Sequence, residues 1–187
     1  MFIAQQKKQE NIAEYILYMW QIEDVIRAYN LDIELINSKI ISPSSLQPKQ
    51  KEQLTEWYSH LIVMMKQENV QRSGHLQFVK NILDDVIDLH YALVKSKKHP
   101  DYQAQLYRTL PYMADLVKKS NSTIQSKDEI EECFVFLYGI LLLRLKKEPI
   151  TPDTEKALKE ISQLIALLSL KYKEFQNGTL DLEQFEE

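Results

Sequence analysis

The chain has 187 residues, 44% of them hydrophobic and 27% charged, enough for one domain whose core needs no staple. A formal charge of −4 leaves no basic footprint for nucleic-acid binding, and a single cysteine, Cys133, leaves no internal disulfide. Glycine is scarce: Gly74, Gly139 and Gly178 are too few for a turn-rich sheet and cannot be spaced as a phosphate-binding loop.

The periodicity is helical throughout and predicts six long helices. The first runs from about Gln5 to Tyr29, with Ile12, Ile16, Met19, Ile22 and Ile26 on one face, and a short segment over Leu31 to Ile40 follows a break at Asn30. Pro48 suits the first turn of the second helix, whose face carries Leu54, Trp57, Tyr58, Leu61, Met64 and Met65. Ser73-Gly74 punctuates the chain before a third helix over about His75 to Lys98. A fourth opens at His99-Pro100-Asp101, and Pro111 within it predicts a kink or a restart.

Ser126 followed by Glu129 reads as a capping box for the fifth helix. From Cys133 to Leu143 this helix is apolar nearly all round, so it is expected to be central and most buried, and Gly139 within it to mark close approach of a neighbour. Lys146 and Lys147 close it, complementing the helix dipole. Thr151-Pro152 starts the sixth helix, and Asn177-Gly178 fits a left-handed end to it. Short connections favour antiparallel neighbours. The expected fold is therefore all-α: a single-domain, mostly antiparallel bundle over 1–176, with a tail over 177–187 that packs on the bundle or frays. The apolar stretch from Cys133 to Leu143 is far short of the ~20 residues that span a bilayer. The N-terminus lacks a secretory signal, so no membrane contact and a cytoplasmic location are expected.

Chemistry is narrowed mostly by spacing. Asp84-Asp85-Val86-Ile87-Asp88 has the D-D-x-x-D spacing with which all-helical prenyl-transferring enzymes hold Mg²⁺ against a diphosphate. However, no second such cluster occurs, and Asp84 and Asp88 lie off the apolar arc of their helix, as a solvated face would. No His follows a Glu at three residues, and no zinc spacing occurs. Glu129 and Glu132 supply half of a paired Glu-x-x-Glu site, but they also stand where a helix dipole favours acids. Polar residues on apolar faces are the subtler signal. Glu23 and Arg27 are i,i+4 partners beside the first apolar arc, His90 lies inside the arc of the third helix, and His75 is on the same side. A pocket lined by Glu23, Arg27 and His90 is one reading, and a sealed network that sets helix register is the other. Leu167 and Leu170, off the main stripe of the sixth helix, suggest a contact surface for a second copy or for the tail.

The stretch from Glu10-Asn11-Ile12-Ala13-Glu14-Tyr15 through Tyr18-Met19-Trp20-Gln21-Ile22-Glu23-Asp24-Val25-Ile26-Arg27-Ala28-Tyr29 resembles the opening of an uncharacterised bacterial family of short all-helical proteins, a domain of unknown function. That resemblance implies a cytoplasmic helical protein and brings no activity or ligand. No cofactor is expected. Three functions remain open: a non-enzymatic interaction protein that self-associates or binds a protein partner, a small-ligand-binding bundle using Glu23, Arg27 and His90, and a Mg²⁺-dependent enzyme acting on a diphosphate through Asp84 to Asp88.

Overall fold

The computed structural model describes residues 2–119 and 128–182. Among the described residues the chain is all-helical: eight α-helices and one π-helical turn, with no strand. In order these are α1 (Phe2–Glu10), α2 (Ile12–Ala28), α3 (Ile33–Ile36), the π-turn (Asn37–Ile41), α4 (Pro48–Gln67), α5 (Gln77–Lys95), α6 (Pro100–Lys119), α7 (Glu129–Leu145) and α8 (Pro152–Gln176).

The count exceeds six for local reasons. The long first helix is divided at Asn11, whose side-chain oxygen accepts from the Ala13 N–H at 3.0 Å and so caps a new helix. The segment after Asn30 is a helix in its own right, capped by Asp32, which accepts from Glu34 N and Leu35 N. Asn30 and Leu31 reverse the chain before it with φ of 55° and 57°. The π-turn that follows closes with Ser42 N donating to Asn37 O at 2.8 Å. A wider turn brings residues five apart onto one side, and Ile36 and Ile41 are both fully buried. Elsewhere Pro48 and Pro152 occupy first helical turns, and Gly178, at φ 69°, follows the end of α8 as a left-handed residue. Pro111 does not restart its helix; α6 runs through it from Pro100 to Lys119.

Two compact units make up the chain. The first comprises Met1–Glu10 and Glu14–Ile82. Its core is built from Ile16, Met19, Ile22 and Ile26 of α2, Ile36 and Ile41, Tyr58, Leu61, Ile62 and Met65 of α4, and Leu76 with Val79. The second comprises Asn11–Ala13 and Leu83–Glu187. There α6 packs on both α7 and α8, and α7 on α8. Gln105 and Thr109 tie α6 to α8 through Glu160, whose backbone oxygen lies 3.3 Å from each. Asp181 reaches back to Lys98 Nζ at 2.8 Å and, through its carbonyl, to His99, so the described part of the tail is attached to its unit.

Three expectations about α7 are corrected. Its N-cap is Asp128, which accepts from Ile130 N at 2.7 Å; Ser126 lies outside the described residues. It is not the most buried helix. Ile130, Cys133, Phe134 and Ile140 are covered, but Val135 is 44% exposed and Leu145 65%, whereas α2 buries Tyr15, Ile16, Met19, Trp20, Ile22, Glu23 and Ile26. Nor does Gly139 meet a close neighbour: a Cβ built there finds nothing within 4 Å. An all-round apolar sequence shows that a helix can be covered on any side, but its neighbours decide which side is.

Candidate functional site

In the first unit, one turn of α2 places Glu23 and Arg27 against the connection from α4 to α5. The Glu23 carboxylate is fully buried and both its oxygens are used. Oε1 accepts from the Leu76 N–H at 2.9 Å, and Oε2 lies 2.6 Å from His75 Nδ1, which donates to it. The His75 ring in turn stacks on Trp20, with centroids 4.3 Å apart and planes within 14°. Arg27 donates to the carbonyls of Val70 and Gly74 and to Asp24 Oδ1, and its guanidinium is 4.0 Å from Glu23. Leu76 O accepts from Val79 N and Lys80 N, so the residue that Glu23 holds is the one from which α5 starts. The pair therefore staples a loop: Arg27 satisfies its carbonyls and Glu23 its amide.

His90 belongs to a different network, in the second unit. It is 1% exposed, with Nδ1 2.6 Å from the Tyr102 hydroxyl and Nε2 3.4 Å from Glu129 Oε1. Burial pushes the Tyr102 hydroxyl well above its ordinary range, so it stays protonated and donates to Nδ1. The imidazole proton then sits on Nε2, facing Glu129. Burial lowers the His90 pKa and outweighs the opposing pull of Glu129 and Asp128. Next to it the Tyr91 hydroxyl donates to Asp128 Oδ2 at 2.6 Å, which with some burial raises its pKa to about 12. Cys133 is pushed up to about 12 by burial, then by Glu129 and Asp128, and is no nucleophile at neutral pH. The start of α7 thus gathers side chains from α5 and α6 around two acids.

The sequence-derived pocket residues accordingly fall into two sets. Glu23 and Arg27 come together with His75, while the polar partners of His90 are Tyr102 and Glu129. The cavity in the first unit, of about 520 Å³, is lined by none of the three. Its walls are Tyr15, Met19, Trp57 and Phe78, with Lys8, Glu56 and His60 among its polar residues, and Lys8 Nζ lies 5.7 Å from the centre of the Tyr15 ring. That size suits a small molecule. Tyr15 and Trp57 were visible in the sequence as members of apolar stripes, but nothing there showed that the stripes part to leave a cleft.

Asp84, Asp85 and Asp88 are all exposed on α5, and among the described residues no group of three His, Cys, Asp or Glu side chains is placed to hold a metal ion. Leu167 is half-buried in α8 and Leu170 is 52% exposed. Among the described residues no helix is long and apolar enough to cross a membrane.

Two predictions follow from these networks. Glu23→Ala leaves the Leu76 N–H and His75 without their acceptor inside the protein, and urea titration should show a loss of about 3 kcal/mol; a loss below about 1 kcal/mol would contradict the staple. For His90, the folded-state pKa is lowered, so the unfolded chain binds the proton more readily and this contribution to stability is lost as pH falls through the ordinary histidine range near 6.5. Between pH 7 and 5 the wild type should therefore lose more stability than His90→Gln, by at most about 1.4 kcal/mol per pH unit. Parallel curves for the two proteins would remove the effect.

Comparison with known proteins identifies a family. The family model for a domain of unknown function, DUF4924, matches residues 1–179, as the resemblance of the N-terminal stretch implied. No curated protein and no solved structure matches the chain. With nearly its whole length matched, the chain belongs to the DUF4924 family, a domain of unknown function.

Proposed function

We propose that the protein is a non-enzymatic helical module that works by association with another polypeptide chain. The observation that supports this reading is α7. From Cys133 to Leu143 it is apolar nearly all round, and it fully buries Ile130, Cys133, Phe134 and Ile140 while Val135, Leu143 and Leu145 stay exposed. Contiguous exposed apolar surface on a folded domain is characteristic of contact sites. Leu170 of α8 adds to the exposed apolar surface of the same unit, whereas Leu167 is half-buried there. The buried polar groups support the same reading, because Glu23 and His90 are each engaged by neighbours within their own unit. Sedimentation equilibrium should give a mass above that of one chain. Val135→Glu/Leu143→Glu should return it to one chain while changing unfolding stability by no more than about 1 kcal/mol, as surface substitutions do. A single-chain mass for the wild type at every concentration overturns this reading.

The cleft of the first unit favours a second reading, small-ligand binding. Aromatic walls beside Lys8 and His60 suit a planar apolar molecule carrying an anionic group. The probe 8-anilinonaphthalene-1-sulfonate has that chemistry. A saturable fluorescence component should be present in the wild type and in the α7 variant and absent in Trp57→Ala; its persistence in Trp57→Ala overturns the cleft as the site.

A further inference from the structure

The outward face of α7 carries a pattern that identifies its occupant. At 100° per residue, the face opposite Ile130, Cys133, Phe134 and Ile140 holds Glu132, Val135, Gly139, Leu142 and Lys146, with Glu131 and Leu143 on its flanks; Val135 and Leu143 are exposed and Glu132, Gly139 and Leu142 half-buried. The first turn contributes Glu131 and Glu132, and Lys146 and Lys147 stand exposed just past the last turn. The apolar stripe therefore has an acidic end and a basic end, with Gly139 midway between them. Mid-helix glycine costs about 1 kcal/mol relative to alanine, and among the described residues beyond its own stretch of helix nothing lies within 4 Å of where its Cβ would be.

Resting on the association reading above, the geometry points to a second copy of this chain, docked antiparallel along α7 across a twofold axis at Gly139. A twofold contact uses the same patch on both copies, so that patch must complement itself. About Gly139, each residue faces the one equally far away in the opposite direction. Glu132 then shares a layer with the partner's Lys146, and Val135 with the partner's Leu143. A parallel pairing would set the acidic ends side by side, so the charges select the antiparallel one. At the crossing the absent side chain lets the two backbones approach closely. Gly139 thus has a reason outside the single chain.

The register is tested by cross-linking the full chain. Val135→Cys and Leu143→Cys variants are purified separately, mixed and oxidised. The mixed disulfide should exceed either like-with-like disulfide several-fold. The wild type is the control, because Cys133 is fully buried with its thiol pushed up to about 12. Charge exchange gives an independent measurement. Glu132→Lys and Lys146→Glu should each weaken association at least about tenfold, roughly 1.4 kcal/mol, and an equimolar mixture should regain it. If the charge variants do not fold, the cysteine pair decides alone. A dominant Val135→Cys like-with-like disulfide, or a dimer by sedimentation that gives no mixed disulfide, overturns this pairing and leaves the association reading standing. A wild-type monomer removes both.

Discussion

The buried carboxylate of Glu23 is the constraint on which the first unit turns. A carboxylate at zero exposure is tolerable only when its oxygens have donors, and here Leu76 N–H and His75 supply one to each. Because Leu76 is also where α5 begins, the same bond that satisfies Glu23 sets the start and rotational phase of a nineteen-residue helix. From that phase, helical periodicity places Val79, Leu83, Val86, Leu89, His90 and Leu93 on the buried side and Asp84, Asp85 and Asp88 in solvent.

The second unit solves a similar problem without a charge. A neutral imidazole, rather than a charge, is buried at His90, held between a phenol that donates and a carboxylate that accepts. Both clusters join elements distant in sequence: Glu23 with His75 and Leu76, His90 with Tyr102 and Glu129. Their hydrogen bonds give orientation to helices whose apolar contacts alone are non-directional. Outside these two networks, Val135, Leu143 and Leu145 of α7 remain exposed.

Much of the fold was legible because helices announce themselves locally. The spacing of Ile16, Met19, Ile22 and Ile26, the Thr151-Pro152 start, and Asn177-Gly178 at the end of α8 all act within a turn or two of the chain. The break at Asn11 was equally local but lay inside an unbroken apolar stripe, so the stripe outweighed the cap. The polar residues Glu23 and His90 were legible as buried because they interrupt apolar arcs, and Arg27 beside Glu23 is half-buried. Their partners were not, since hydrogen bonds across 12 to 53 positions depend on which helices come together.

The sequence by itself determined an all-helical chain, the faces of its helices, and the solvent exposure of Asp84 and Asp88. Those properties follow from side-chain polarity repeated at 3.6 residues per turn. Only the tertiary structure decided that Glu23 and Arg27 grip the loop before α5, that His90 answers to Tyr102 and Glu129, and that Gly139 faces open space. The apolar run from Cys133 to Leu143 shows the reason. A helix that is apolar on all sides has no preferred side to bury, so the number and placement of its neighbours choose one and leave the rest exposed.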